Sequence, residues 1–196
     1  MTDRIPIEPG RMYHLYNHSN GNLLLFRCEE NYKYFLEKYI RYMHPWVDTF
    51  SYCLMPNHFH FSVGIRETER YTGGMNTLKE TSRAIKKWLV SYSRSYNSVY
   101  DVRGNLFYQH IKRKRITDDD YFRRLISYIH LNPVIAGLTD DPSKWKYSSY
   151  PLFLSEKHSF IAKDEVLSGF DDLSNFRYYH QLCLAQKFAA DKKLTF

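Results

Sequence analysis

The chain has 196 residues, of which 43% are hydrophobic and 25% charged, a composition that supports a packed core and excludes wholesale disorder. Its formal net charge of +7 and isoelectric point of about 9.2 favour a polyanionic partner such as nucleic acid. The three cysteines are far apart in sequence, which excludes a disulfide framework and a CxxC metal site and is consistent with a reducing, cytoplasmic location.

Hydrophobic periodicity and turn residues divide the chain into alternating strands and helices. In chain order they predict a strand at 12–16, a helix at 29–43, a hairpin of strands at 47–55 and 58–65, a helix at 76–96, a strand at 106–116, a helix at 117–132 and one or two helices within 160–193. The helix from Thr117 should end before Pro133, because the residue preceding a proline disfavours helical backbone. No secretion signal is apparent in the opening residues, and no uncharged stretch resembles a membrane span.

The first six elements have the order βαββαβ. This order predicts an α+β, ferredoxin-like (RRM-like) antiparallel sheet with helices on one face, followed by a further helix at 117–132. We expect residues 1–150 to form one domain and residues 151–196 to form a helical C-terminal extension, whose role the sequence does not reveal.

Positive charge is concentrated between Lys79 and Arg115. Ten basic and two acidic residues give this stretch a net charge of +8, so the rest of the chain is close to neutral. Such a run is either a solvated face or a surface that follows a phosphate backbone. The candidate DNA-binding residues are Lys86, Lys87, Lys112, Arg113, Lys114 and Arg115.

Two histidines stand on the predicted strand 58–65 with one residue between them. Since side chains alternate along a strand, His58 and His60 should project from the same face, with Phe59 on the other. Two imidazoles on one face are a potential pair of metal ligands, and a bound metal could polarise a phosphate. Two ordinary hydrogen-bonded histidines would produce the same pattern.

A tyrosine and an asparagine lie four residues apart on the predicted helix 117–132. Tyr128 and Asn132 therefore share a helix face, which Tyr121 and Leu125 extend. A tyrosine can attack a phosphodiester covalently, but its hydroxyl is protonated at neutral pH and needs a metal or base nearby. The amide oxygen of Asn132 is a reasonable ligand for Mg²⁺ or Mn²⁺. The alternative is a packed tyrosine and a polar residue near a helix end.

Two segments of the sequence resemble the REP-associated tyrosine transposases, relatives of the single-strand insertion-sequence transposases. They are YCLMPNHFH at 52–60, which resembles the HUH motif region, and YIHLNPV at 128–134, followed by Ala-Gly-Leu at 136–138. Shorter similarities occur at Tyr13-His14, at 104–107 and at 145–150, so the resemblance covers about residues 11–150. The turn at 16–21 lacks the Arg-Gly pair of many relatives, so the resemblance does not indicate which DNA sequence this protein recognises.

The resemblance implies a chemical role for each motif. His58 and His60 would hold a divalent metal, with Asn132 as the third ligand, and Tyr128 would be the nucleophile. Such enzymes cut one strand of single-stranded or hairpin DNA, keep a 5′-phosphotyrosine and release a 3′-hydroxyl that can later rejoin the strand. A homodimer is compatible with the family, and Tyr128 could then serve its own site or a partner's.

Two other functions remain open at this point. The same fold and basic surface could bind a DNA or RNA hairpin without cutting it, as in a module descended from such a transposase. A metal-dependent phosphodiesterase that uses water would not need Tyr128. The presence together of His58, His60, Tyr128 and Asn132 favours the tyrosine enzyme.

Overall fold

The computed structural model describes residues 5–67 and 76–193, which contain a four-stranded antiparallel sheet with helices packed against it. The strands are β1 (Met12–His18), β2 (Val47–Met55), β3 (His58–Ile65) and β4 (Lys112–Ile116), in the spatial order β2-β3-β1-β4. The helices are α1 (Glu29–Met43), α2 (Asn76–Tyr100), α3 (Asp119–Ile135), α4 (Tyr150–Phe153), α5 (Lys163–Ser168) and α6 (Leu173–Lys193), with a 3-10 helix at Pro142–Lys144. This topology confirms the predicted α+β, ferredoxin-like class.

Helices α1 and α2 cover one face of the sheet through a cluster of aromatic rings. Phe35 of α1 and Trp88 of α2 lie 4.9 Å apart between ring centroids, and Trp88 is 5.2 Å from Phe59 of β3. All three side chains are completely buried. Burial of such rings is a major stabilising contribution, so this layer holds β3 in place from one side. Trp88 and Tyr92 are core residues, as expected from their helical spacing.

Helix α3 lies on the opposite face, a placement that the predicted element order did not specify. Phe122 packs edge-on against Phe50 of β2 at 5.3 Å, and Ile126 and Ile129 are completely buried. The apolar stripe of α3 therefore anchors the helix on the sheet beside the outer face of β3.

Five element boundaries differ from the prediction. Strand β1 continues to His18 instead of residue 16, and helix α2 continues to Tyr100 instead of residue 96. The start of β4 and both ends of α3 differ for local reasons. Strand β4 begins at Lys112, not at Leu106, because the backbone at Gln109 has a φ of 52° and cannot continue an extended strand. Helix α3 begins after Asp118, whose side chain caps the helix by accepting the backbone N–H of Tyr121. It also continues past Pro133 to Ile135, since a proline in the last turn removes only one backbone donor.

The segment after residue 150 shares the core of the preceding elements. Phe153, Ile161, Val166 and Phe176 are buried in the same apolar cluster as the sheet residues. Chain segments also pair with the outer edge of β2, through Leu54 N–H to Tyr147 O and Ala162 N–H to Thr49 O, each at 2.9 Å. No helix in the two described ranges is long and apolar enough to cross a membrane.

A buried chain of polar groups joins α3 to α6. The Nδ1 of His130 is 2.9 Å from Nε2 of His180, and the Nε2 of His130 is 2.8 Å from Ser149 Oγ. His180 completes the chain by donating from Nδ1 to Phe176 O at 2.7 Å, and Tyr52 N–H donates to Ser149 Oγ. All of these hydrogen bonds can form at once with both imidazoles neutral.

Burial makes this histidine pair sensitive to acid. Desolvation lowers the pKa of His180 from its ordinary 6.5 to about 4, and it lowers the pKa of His130 in the same direction. The unfolded chain therefore binds a proton near pH 6.5 that the folded chain does not accept until lower pH. The contribution of this pair to the free energy of unfolding is therefore fully present above pH 6.5, and it is lost as the pH falls toward 4.

We predict that the free energy of unfolding falls by about 2 kcal/mol between pH 7 and pH 5 because of His180 alone. The measurement is urea unfolding at several pH values, compared with His180→Gln, which removes the titrating ring and keeps an amide donor for Phe176 O. The variant should show a smaller decrease with acid. An identical pH dependence in both proteins would contradict the prediction.

Candidate active site

Strand β3 places His58 and His60 on the face of the sheet that α3 covers. Their ring centroids are 5.1 Å apart, while the alternating Phe59 and Phe61 are buried beneath α1 and α2. As predicted from the alternation of side chains along a strand, His58 and His60 point toward α3, while Phe59 points into the core on the other face, as does Phe61.

His60 is held by a second histidine that sequence reasoning did not assign to the site. Nδ1 of His60 is 2.9 Å from Nε2 of His14 on β1, and both rings are almost fully buried. One of the two nitrogens must donate, since two facing lone pairs would repel. With Nδ1 of His60 as the donor, its Nε2 keeps a lone pair for a ligand.

His58 lies between two asparagines. Its Nδ1 is 2.7 Å from Asn57 Oδ1, which leaves Nε2 as the other coordinating nitrogen. Burial lowers the pKa of His58, and a hydrogen bond with the Asn132 side chain opposes that shift. Asn132 donates from Nδ2 to Tyr128 O at 2.8 Å, so its Oδ1 is the atom available to His58 or to a cation.

Tyr128 stands above these histidines and remains open to solvent. Its ring centroid is 5.5 Å from that of His60 and 6.4 Å from that of His14, both in edge-on arrangements. The side chain is 46% exposed, although helix α3 around it is largely buried. Tyr128 is therefore accessible to a large substrate. His130, two residues later, is completely buried on another side of the helix, as expected of a structural residue.

The imidazoles at the centre of the site are neutral at physiological pH. Burial, with a smaller effect of the Lys114 charge, lowers the pKa of His14 to about 4. Burial and the neighbouring His14 and His58 lower the pKa of His60 to about 2. A neutral imidazole is the form that binds metal. These histidines therefore need not release a proton before a metal ion binds.

The donor atoms at this point suit a divalent cation. Two neutral imidazoles, each fixed by a partner at Nδ1, lie beside an amide oxygen, and ligand histidines in metal sites are commonly fixed in this way. In the described ranges, no group of three or more His, Cys, Asp or Glu side chains is placed to hold a metal ion. A metal bound by His58 and His60 would therefore take the amide oxygen of Asn132 as its third protein ligand. The structure thus brings together His58, His60, Asn132 and Tyr128.

The basic residues of β4 divide between the two faces of the sheet. Lys112 and Lys114 pair with Tyr16 and His14 of β1, and therefore lie on the face of the candidate active site. Arg113 and Arg115 pair with Leu15 and Tyr13, whose side chains enter the core on the other face. The run KRKR is one cluster in the sequence, but in the structure it contributes positive charge to both faces of the sheet.

The other basic candidates belong to the α2 side of the sheet. A cleft of about 740 Å³ between α2 and residues 104–113 is lined by Lys86, Arg94 and Arg113 over an apolar floor. Lys87 is exposed on the same helix, and Arg115 forms an ion pair with Glu8. These residues are remote from Tyr128, because the sheet lies between them.

Sequence reasoning did not assign roles to His14 and Asn57. Each is hydrogen-bonded to a histidine that the sequence did indicate: Asn57 to its neighbour His58, and His14 to His60, which is 46 positions away in the sequence. The signal for Asn57 was its place beside His58. The signals for His14 were its place in the short Tyr13-His14 similarity and its alternation with the apolar Tyr13 and Leu15, which gives the face of β1 but not its register with β3.

Comparisons with known proteins show what this fold is similar to. No protein-family model matches the sequence, and no curated protein matches it. Among solved structures, a REP-associated tyrosine transposase bound to a REP hairpin aligns with a TM-score of 0.58 and 15% identity, over 82% of this chain and 88% of that one. A bacterial tRNA(His) guanylyltransferase-like protein in complex with GTP reaches a TM-score of only 0.40 at 9% identity, over 70% of this chain and 73% of that one, and supports no argument. The chain therefore shares its fold with a transposase that was solved with a REP hairpin.

Proposed function

We propose that this protein is a metal-dependent single-stranded DNA endonuclease and strand transferase of the tyrosine transposase kind, acting on hairpin DNA. The observation that carries the proposal is the exposed Tyr128 beside two neutral, positioned histidines and Asn132. The shared fold with a hairpin-bound transposase supports DNA as the partner. In this proposal the four residues act together within one chain, and a homodimer is compatible with it.

Tyr128 would act as the nucleophile. Its hydroxyl oxygen attacks the scissile phosphorus, a new oxygen–phosphorus bond forms, and the bond to the 3′ oxygen of the preceding nucleotide breaks. The tyrosine proton is lost to solvent, and the departing oxygen takes up a proton to become a 3′-hydroxyl. The 5′-phosphotyrosine keeps the energy of the phosphodiester, so the reverse attack can rejoin a strand without ATP.

His58, His60 and Asn132 would hold the divalent cation, Mg²⁺ or Mn²⁺. Bound there, it would neutralise charge on the scissile phosphate and on the leaving oxygen. His14 and Asn57 hold the two rings by their Nδ1 atoms and thereby orient Nε2 toward the site. Because imidazole nitrogens are softer than carboxylate oxygens, this donor set should favour Mn²⁺ over Mg²⁺.

The basic residues would bind the DNA backbone on two surfaces. Lys112 and Lys114 lie on the face of Tyr128 and are suited to the strand that is cut. On the other side of the sheet are Lys86, Lys87, Arg113 and Arg115, which would contact the rest of the hairpin. In this proposal residues 1–150 carry the catalytic domain, and residues 151–196 are an extension that supports α3.

We predict that Tyr128→Phe abolishes a covalent protein–DNA adduct and leaves hairpin binding within about twofold, since only the attacking hydroxyl is removed. The measurement is a denaturing gel after incubation with end-labelled hairpin DNAs and Mn²⁺, paired with a gel-shift assay in EDTA. Tyr121→Phe, seven residues earlier on the same helix, is the matched control and should still form the adduct.

Each outcome of this assay selects one function. A metal-dependent shifted band that disappears only with Tyr128→Phe supports the tyrosine enzyme. Tight binding of hairpins with no cleavage by the wild type would indicate a hairpin-binding module. Cleavage without a covalent band, unaffected by Tyr128→Phe, would indicate a phosphodiesterase that uses water.

We predict that Asn132→Asp retains Mn²⁺ binding, whereas Asn132→Leu and His58→Ala weaken it at least tenfold. Aspartate offers an oxygen at the same position, while leucine has a similar size and no donor atom. Isothermal titration with Mn²⁺ in the absence of DNA measures the effect. Unchanged Mn²⁺ affinity in Asn132→Leu would remove Asn132 from the ligand set.

A further inference from the structure

A strip of aromatic and basic side chains continues from the candidate active site across β1 and β4. Tyr16 lies opposite His60 on one side and opposite Lys112 on the other, and His14 lies opposite Lys114. These are directly paired positions, so all five side chains share the face of Tyr128. The Nζ of Lys112 is 6.0 Å from the centre of the Tyr16 ring.

Helix α3 provides a second wall beside this strip. Tyr121 and Tyr128 are seven residues apart and share a helix face, which separates them by about 10 Å along the axis. Near the beginning of α3, the Nζ of Lys114 is 4.8 Å from the centre of the Tyr121 ring. The strip and the helix thus form a trough that leads from Tyr128 and His60 to Lys114 and Tyr121. Its length matches about three stacked nucleotides.

We propose that this trough binds the unpaired nucleotides next to the scissile phosphate. Phosphates lie against Lys112 and Lys114, and bases stack on Tyr16 and Tyr121. The inference rests on the proposed function for the identity of the strand as DNA, and it deepens that function by assigning the path of the strand that is cut.

The chemistry of the trough favours a single strand over a duplex. Alternating rings and ammonium groups suit a chain whose bases expose their faces and whose backbone is charged, and such binding tolerates any base sequence. In a duplex the bases stack on each other and offer no face to Tyr16 or Tyr121.

The ends of the trough limit the path of the strand. The N-cap of α3 is Asp118, and its first turn carries Asp119 and Asp120; these three carboxylates would repel phosphates beyond Lys114. At the other end, the ring of the exposed Tyr108 stacks on His18 at 4.7 Å between centroids, and His18 is paired with His58 across β1 and β3. A strand that passes Tyr128 therefore leaves over β4, the last strand of the sheet in the described residues.

The first test measures binding of a short fluorescein-labelled oligothymidine by fluorescence anisotropy in EDTA, where no cleavage occurs. The double variant Lys112→Gln, Lys114→Gln should weaken binding about tenfold and reduce the slope of log K against log salt by about 1.4. The control variant Lys38→Gln, Arg41→Gln makes the same charge change on α1, across the sheet. An equal loss of oligothymidine affinity in both variants would show that binding depends only on the net charge of the protein, and would overturn the proposal.

The second test asks whether the tyrosines contact bases. Tyr16→Leu and Tyr121→Leu should each weaken oligothymidine binding about tenfold, and should have almost no effect on an oligonucleotide of abasic spacers, which has no base to stack. Thermal unfolding confirms that each variant is folded. A loss that is the same for both oligonucleotides would place the tyrosines in the structure of the trough, not in base contact.

These measurements are independent of the covalent assay. A protein that forms no adduct but passes both tests retains the trough as a single-strand site and loses the proposed chemistry. A protein that forms the adduct and fails both tests retains the chemistry, and its strand follows another path.

Discussion

The alternation of side chains along β3 is the constraint on which the candidate site depends. One strand supplies Phe59 to the aromatic core and His60 to the opposite face, so the same backbone is clamped by apolar packing on one side and exposes chemistry on the other. Strand β1 has the same alternation: Tyr13 and Leu15 are completely buried in the core, whereas His14 lies on the other face and forms a hydrogen bond with His60. A shift of one residue in the β1–β3 register would place His14 in the core and an apolar ring beside His60.

Much of this arrangement could be predicted from the sequence because its determinants are local. Helix α1 and strands β2 and β3 have the predicted bounds, and the same-face placement of His58 with His60, and of Tyr128 with Asn132, follows from the periods of a strand and a helix. The pairing of β1 with β3 joins residues 46 positions apart, and no local signal specifies it. For the same reason His14 was not assigned. Alternation along a strand divides the KRKR run between two faces, but only the pairing of β4 with β1 shows that Lys112 and Lys114 lie on the face of Tyr128. The end of α3 was misplaced because buried packing outweighs the cost of Pro133.

Helix α3 connects two environments that differ completely. One side presents Tyr128 to solvent, and the other presents His130 to a buried hydrogen-bond chain that ends in α6. Apolar contacts alone would allow the helix to slide or rotate slightly, whereas a chain of directional hydrogen bonds through His180 and Ser149 permits a narrow range of positions. The elements after residue 150 thus fix the orientation of the helix that carries the exposed tyrosine, although they contribute no residue to the site.

The two outer strands of the sheet are protected in different ways. The outer edge of β2 is covered by two hydrogen bonds: Leu54 N–H donates to Tyr147 O, and Ala162 N–H donates to Thr49 O. Strand β4, the last strand on the other side of the described sheet, has four consecutive cationic residues, Lys112 to Arg115. An unpaired strand edge can recruit the edge of another molecule, and charged side chains oppose this. If two copies met through β4, their cationic runs would face each other. The charges on β4 therefore oppose pairing of two copies through this edge in the absence of polyanions, and a bound polyanion would weaken that opposition.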